Sequence, residues 1–220
     1  MQTNQKEKAE RLRDDVIRQI EWDPRITSRN IMVSVSGKIV MLTGYVPTFA
    51  EKYAAEKAAQ SVYGVEAITN DIEVQPDNKR VDPDIARDVL HSMKINVMVP
   101  DEKIKAVVSH GFVTLTGSVE WNYQKEAAES CARTVEGVRG VINSIQVKPH
   151  VTAGVVSGRI EDALRRNAEL DARRINVSAV DGKVFLSGSV RSWFERREAE
   201  RAAWAAPGVT DVVDNISVVA

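Results

Sequence analysis

The sequence predicts an α+β protein built from three tandem small α-β-β-α-β domains, each a three-stranded mixed sheet with two helices packed on one face. Three observations carry this. First, the stretch GSVEWNYQKEAAESCARTVEGVRGVINSIQV (117–147) recurs without a gap at 44–74 and 188–218, a period of 73 and then 71 residues. Second, each copy holds small residues at helical spacing: Ala55, Ala58, Ala59 and Val62; Ala128, Cys131, Ala132 and Val135; Ala199, Ala202, Ala203 and Ala206. Third, strand-like alternation flanks that helix on both sides, as in Ile31, Val33 and Val35 before it and Ile72 and Val74 after it. The domains are expected at 1–77, 78–150 and 151–220.

In chain order, Leu12, Val16, Ile17 and Ile20 mark a first helix over roughly 7–21, which Trp22-Asp23-Pro24 ends because a residue before proline avoids the helical region. A half-buried strand follows, then a turn at Ser36-Gly37 and a return strand from Lys38 to Thr43. Gly37 lies seven residues before Gly44, whereas six separate Gly111 from Gly117 and Gly182 from Gly188. The extra residue suggests a bulge. Thr48 with Glu51, and Ser192 with Glu195, have capping-box spacing at the start of the second helix. In the middle copy Asn122 is the candidate cap. Gly64, Gly137 and Gly208 stand where a left-handed C-cap belongs. The second unit starts near Asp82-Pro83 and the third near Val155, after linkers Pro76–Val81 and Lys148–Gly154. Met32, Met41, Val107 and Phe185 are expected on the sheet face away from the helices, where packing between domains covers them in preference to a ligand.

Composition excludes several classes. The 30 Lys and Arg against 31 Asp and Glu give a net charge of −1, and the three units hold 10 against 12, 10 against 9 and 10 against 10. None has the basic excess of a nucleic-acid binder, so no nucleic-acid partner is expected. One cysteine rules out a disulfide framework within the chain. No apolar run approaches the ~18 residues of a membrane span. The N-terminus has no apolar signal core, so the expectation as written is a cytoplasmic protein.

Cys131 stands where the other copies have Ala58 and Ala202, and is expected to be a small core residue rather than a nucleophile. His91, His110 and His150 share no repeat position, so no metal site is expected. Gly137-Val138-Arg139-Gly140 has the spacing of a nucleic-acid-binding Gly-x-x-Gly loop, but the other copies lack it and it is taken as a turn. No phosphate loop, carboxylate pair or serine triad appears. No catalytic residue and no cofactor is therefore expected.

The segments Val113-Thr114-Leu115-Thr116-Gly117-Ser118-Val119, Gly137-Val138 and Asn143-x-Ile145-x-Val147, with their counterparts, resemble the BON domain, the bacterial osmotic-shock and nodulation domain. Asn70 matches Asn143, while Asp214 departs from the pattern. The resemblance covers nearly the whole chain. It implies a non-enzymatic protein that binds an anionic phospholipid surface or a protein partner, with a link to osmotic stress. It also implies periplasmic or envelope residence for a chain whose leader has been removed.

The residues themselves offer one candidate surface. Trp193, Arg197, Arg201 and Trp204 fall on one face of the third unit's second helix, and Gln60 and Arg133 at the repeat position of Trp204 suggest that this face meets water. Two tryptophans flanking arginines suit a membrane or partner interface. The alternative is that both rings seal a contact between domains, as in a scaffold whose repeats pack on each other, on another copy or on a protein partner.

Overall fold

The computed structural model describes residues 2–148, 156–166 and 174–219. Most of the second linker, with His150, and the expected start at Val155 lie outside them. The first unit comprises α1 (Gln2–Trp22), β1 (Ile31–Ser36), β2 (Ile39–Val46), α2 (Phe49–Gln60) and β3 (Ala67–Val74). The second comprises α3 (Asp82–Ile95), a 3-10 turn at Asp101–Lys103, β4 (Ile104–Ser109), β5 (Phe112–Val119), α4 (Asn122–Arg133) and β6 (Gly140–Val147). The third comprises α5 (Val156–Arg166), β7 (Ile175–Val180), β8 (Lys183–Val190), α6 (Trp193–Trp204) and β9 (Asp211–Val218). The first helix thus begins at Gln2, earlier than its apolar stripe indicated.

In each unit the order of strands across the sheet follows their order in the chain. The first two strands are antiparallel, and the third lies parallel to the second after the helical crossover. One core per unit forms between sheet and helices. In the first it joins Leu12, Val16 and Ile20 of α1, Ala55, Ala58 and Ala59 of α2, and Val40, Leu42 and Ile72 of the sheet. Small side chains on α2 allow that close approach. Cys131 is buried at the equivalent place, its Sγ accepting from Asn96 Nδ2 at 3.3 Å.

The recurring first glycine has a steric cause. A Cβ on Gly44, Gly117 or Gly188 would fall 1.9, 2.1 or 2.0 Å from the carbonyl oxygen of Asn30, Lys103 or Arg174, where the chain enters the neighbouring strand. No side chain fits there.

Several local expectations are corrected. No bulge occurs in β2: Ser36 pairs with Ile39, and six residues pair across each of the three hairpins. The first hairpin places its glycine first in the turn (Gly37, φ 64°), while the others place it second, after His110 or Asp181 at φ 53° and 49°. The extra residue of spacing is this shift, since either glycine position makes a tight turn matched to the strand twist. Thr48 and Ser192 do cap their helices, accepting from the amides of Glu51 and Glu195 at 3.1 and 3.2 Å. Glu51, however, does not reach back to its cap; its carboxylate is buried and accepts from the amides of Thr27 and Ser28. Asn122 does not cap α4; it is buried, and its amide donates to Glu126 at 2.8 Å. Gly64 lies beyond the C-cap Ser61, after Val62 and Tyr63, in the turn that follows the helix. Met32, Met41, Val107 and Phe185 do lie on the sheet face away from the helices, but they are exposed, because the domains meet through their second helices instead.

Candidate binding surface

The second helices α2, α4 and α6 meet head to tail. Phe49, first residue of α2, packs against the core of the second domain. One turn on, the Tyr53 ring lies 3.7 Å from the guanidinium of Arg133, the last residue of α4. The head of α4 faces α6 in turn: Glu126 lies within electrostatic reach of Glu200 and Arg201, and Trp204, last residue of α6, packs on the cores of both the second and third domains. Trp193, first residue of α6, donates its indole N–H to the carbonyl of Val65, just past the tail of α2, at 3.0 Å. The ring of three seams therefore closes. At its centre is a hollow of about 750 Å³ lined from all three helices, with Tyr53, Tyr123, Phe194 and Trp204 among charged neighbours of both signs.

This arrangement places the four candidate residues, and it corrects the expectation that their face meets water. Trp193 and Trp204 are half-buried, one against the first domain and one against the second. Arg197 is half-buried and lines the central hollow with Arg201. Arg201 is exposed and pairs with Glu198 at 2.5 Å. The tryptophan positions look solvent-facing within one repeat, because the surface that covers them belongs to another.

A second apolar surface adjoins the hollow, whose lining also includes Met98. α3 ends in Ile95, and the chain then turns through Asn96, Val97 and Met98; Ile95 is 67% exposed, Val97 99% and Met98 57%. Asn96 anchors this tip to α4 through Cys131, so three apolar side chains project from a fixed loop beside the exposed Lys94. Trp22 ends α1 as Ile95 ends α3, and it too is exposed. The signal in the sequence was the run Ile95-Asn96-Val97-Met98-Val99 continuing past the end of the buried stripe of α3.

The model of the BON domain matches residues 8–76, 81–149 and 153–220. The chain belongs to the BON domain family. Among similar proteins, the osmotically-inducible protein Y of Escherichia coli K12 is 30% identical over 56% of this chain and 64% of its own length. The 21 kDa hemolysin of Actinobacillus pleuropneumoniae is 25% identical over 69% of this chain and 80% of its own. The outer membrane lipoprotein DolP of Haemophilus influenzae is 28% identical over 53% of this chain and 61% of its own. The match thus spans less than two thirds of the first and third of these relatives. The cytoplasmic expectation finds no support among them, one being by name an outer membrane protein.

The BON motif residues act as latches between sheet and helix. Asn143 donates to Lys125 O at 3.0 Å and to Glu129 Oε2 at 3.1 Å, and accepts from Ile145 N. Asn70 makes the same set with Lys52, Glu56 and Ile72. Asp214 cannot donate to a carbonyl or a carboxylate. Arg196, at the repeat position of Lys52 and Lys125, compensates by donating to Asp214 Oδ2 at 2.6 Å and lying over the Trp193 ring at 5.1 Å. Glu200, at the position of Glu56 and Glu129, thereby loses its amide partner. Among the described residues no cluster of His, Cys, Asp or Glu could hold a metal, and no helix is long and apolar enough to cross a membrane.

Proposed function

We propose that this BON protein is a non-enzymatic binding protein of the cell envelope that engages an anionic phospholipid surface, in keeping with relatives named for osmotic induction and for the outer membrane. The observation that supports this is the tip at Ile95, Val97 and Met98, apolar side chains held out from a rigid loop. Fully burying such side chains is worth about 1.5–3 kcal/mol each. Three partly exposed ones yield roughly 5 kcal/mol, close to millimolar affinity. Basic groups near an anionic surface add about 1 kcal/mol each, so anionic lipid decides whether binding is measurable. Trp193, Arg197, Arg201 and Trp204 are reassigned in this reading to holding the domains together.

The test is co-sedimentation with phosphatidylglycerol-containing and pure phosphatidylcholine vesicles, using the parent and an Ile95→Asp, Val97→Asp variant, at two tip residues that do not line the hollow. The parent should bind the anionic vesicles at low salt, and the variant should not, while keeping the parent's melting curve. Equal binding by both, or none by the parent, would remove the lipid reading. The protein-interaction scaffold then takes its place, favoured by the seams through which the repeats already pack on each other.

A further inference from the structure

Most of the charges that line the central hollow are already matched within the chain. Lys57 donates to Gln60 Oε1 at 3.0 Å and lies over the Tyr53 ring, which Arg133 covers as well. Glu126 accepts from Asn122 at 2.8 Å and Glu129 from Asn143 at 3.1 Å. Arg201 pairs with Glu198. Two charges stand apart from this scheme. Arg197 and Glu200 both line the hollow and are both half-buried, and among the described residues neither has a hydrogen-bond or ion-pair partner. They sit three positions apart on α6, where Cβ atoms are about 5–6 Å from each other, yet they do not pair.

Glu200 lacks a partner for a traceable reason. In the first two units the glutamate at its position is held by an asparagine of the third strand, Glu56 by Asn70 at 3.0 Å and Glu129 by Asn143 at 3.1 Å. The third unit has Asp214 there, which offers no N–H and accepts from Arg196 instead. Arg197 is likewise peculiar to the third unit, since Tyr53 and Glu126 occupy its position in the others. The third unit alone therefore presents an unmatched cation and an unmatched anion to one hollow. A half-buried charge without a partner has lost part of its hydration and gained no bond in exchange. Apolar groups surround the two: Tyr123 and Phe194, the exposed second residues of α4 and α6, with Trp204 and Met98.

We propose that the hollow binds a free α-amino acid with an aromatic side chain, Arg197 taking its carboxylate, Glu200 its ammonium and the surrounding rings its side chain. The guanidinium fork matches a carboxylate with two parallel hydrogen bonds, and an ammonium brings three donors to a glutamate. An α-amino acid carries both groups on one carbon, which suits two partners about a helical turn apart. A plain carboxylate leaves Glu200 unmatched, and a plain amine leaves Arg197 so. The side-chain ring gains from offset or edge-on contact with Tyr123, Phe194 and Trp204, and from the thioether of Met98. At about 750 Å³ the hollow is within the range of small-molecule sites, and it lies at a junction of domains, where such sites concentrate. The site goes beyond the lipid reading and does not rest on it: Met98 is common to both, but neither charged residue belongs to the tip.

The experiment is an NMR titration of the full chain at pH 7, without lipid, following the amides of Tyr123, Arg197 and Trp204. Three probes are compared: L-phenylalanine, 3-phenylpropanoate, which lacks the ammonium, and 2-phenylethylamine, which lacks the carboxylate. L-Phenylalanine should give saturable shifts at these amides, and each one-charge analogue should bind roughly tenfold more weakly or worse, the loss expected for one charge-assisted hydrogen-bonded pair. Arg197→Gln should weaken L-phenylalanine by a similar factor and leave 2-phenylethylamine as it was. Glu200→Gln should weaken L-phenylalanine and leave 3-phenylpropanoate no weaker. Both variants should keep the parent's melting curve, since neither side chain bonds to the rest of the chain. No saturable shift with L-phenylalanine in the parent would overturn the proposal. So would a one-charge analogue that binds as tightly as the amino acid, or a variant with an unchanged melting curve that binds L-phenylalanine as the parent does.

Discussion

Replacing Trp193 with alanine tests the closure of the ring directly. The indole has two roles: its N–H bonds the carbonyl of Val65, 128 positions away in the chain, and its ring fills the seam beside Arg196. A hydrogen bond of this kind contributes about 1 kcal/mol. A tryptophan buries roughly 150 Å² or more, worth ~4 kcal/mol at ~25 cal/mol per Å². Trp193 is only half-buried, and its ring is shared between its own domain and the first. About 2 kcal/mol therefore belongs to the seam. Trp193→Ala should weaken docking by ~3 kcal/mol, on the order of a hundredfold, and Trp193→Phe by about 1 kcal/mol, the hydrogen bond alone. The assay is the amide spectrum of the first domain. Gly64, Val65 and Glu66 should shift in both variants, further in the alanine variant, while Val40 and Leu42 in the same domain stay put. Unchanged signals at Val65 in Trp193→Ala would refute the closed arrangement, since no contact within the third domain could move them.

Further outcomes follow from the cores and turns. Ala59→Glu, Ala132→Glu and Ala203→Glu each force a charge into a fully buried helix–sheet contact; calorimetry should show loss of the corresponding domain's transition, at a cost of 3 kcal/mol or more by the order-of-magnitude penalty for burying an unpaired charge, ~3–5 kcal/mol. Cys131→Ala should cost about 1 kcal/mol or less, and in the parent the thiol should react slowly with a thiol reagent, because it lies in the core under Asn96; rapid native-state labelling would contradict that placement. Asp82 accepts from the amides of His110 and Gly111 at 2.8 and 2.9 Å, and these bonds hold its pKa below the ordinary 3.8. Its contribution is fully present above 3.8 and is lost as pH falls through the lowered value, so Asp82→Asn should flatten the acid limb of the second domain's melting curve.

The repeat made the topology readable, because glycines, the alanine stripe and the alternating strands are all set by contacts inside one unit. Gly44, Gly117 and Gly188 recur since any side chain would strike the backbone beside them. The misreadings share a different origin. A one-residue change in glycine spacing looks the same for a bulge and for a turn with its glycine moved forward, and only the pairing of Ser36 with Ile39 separates them. Trp204 looked solvent-facing because its counterparts are polar; yet Arg133 is polar and half-buried as well, held over Tyr53 of another domain. Periodicity within a repeat cannot register a neighbour that arrives from elsewhere in the chain. A cross-repeat signal was available in Phe49 and Trp193, large apolar residues at the same first helical position. The apolar tip was overlooked because a run past a helix end has no period of its own.

The direction in which the seams run bears on how many BON units such a chain can hold. Each unit offers one head and one tail, so the contact is of the kind that either closes on itself or propagates. Three units close it. Remove the third, and the first domain is left with a bare tail around Val65 while the second is left with a bare head around Asn122 and Glu126. Those two surfaces belong to one shortened chain but match each other across copies. A two-unit descendant would have to cap them with other residues, or it would assemble end to end.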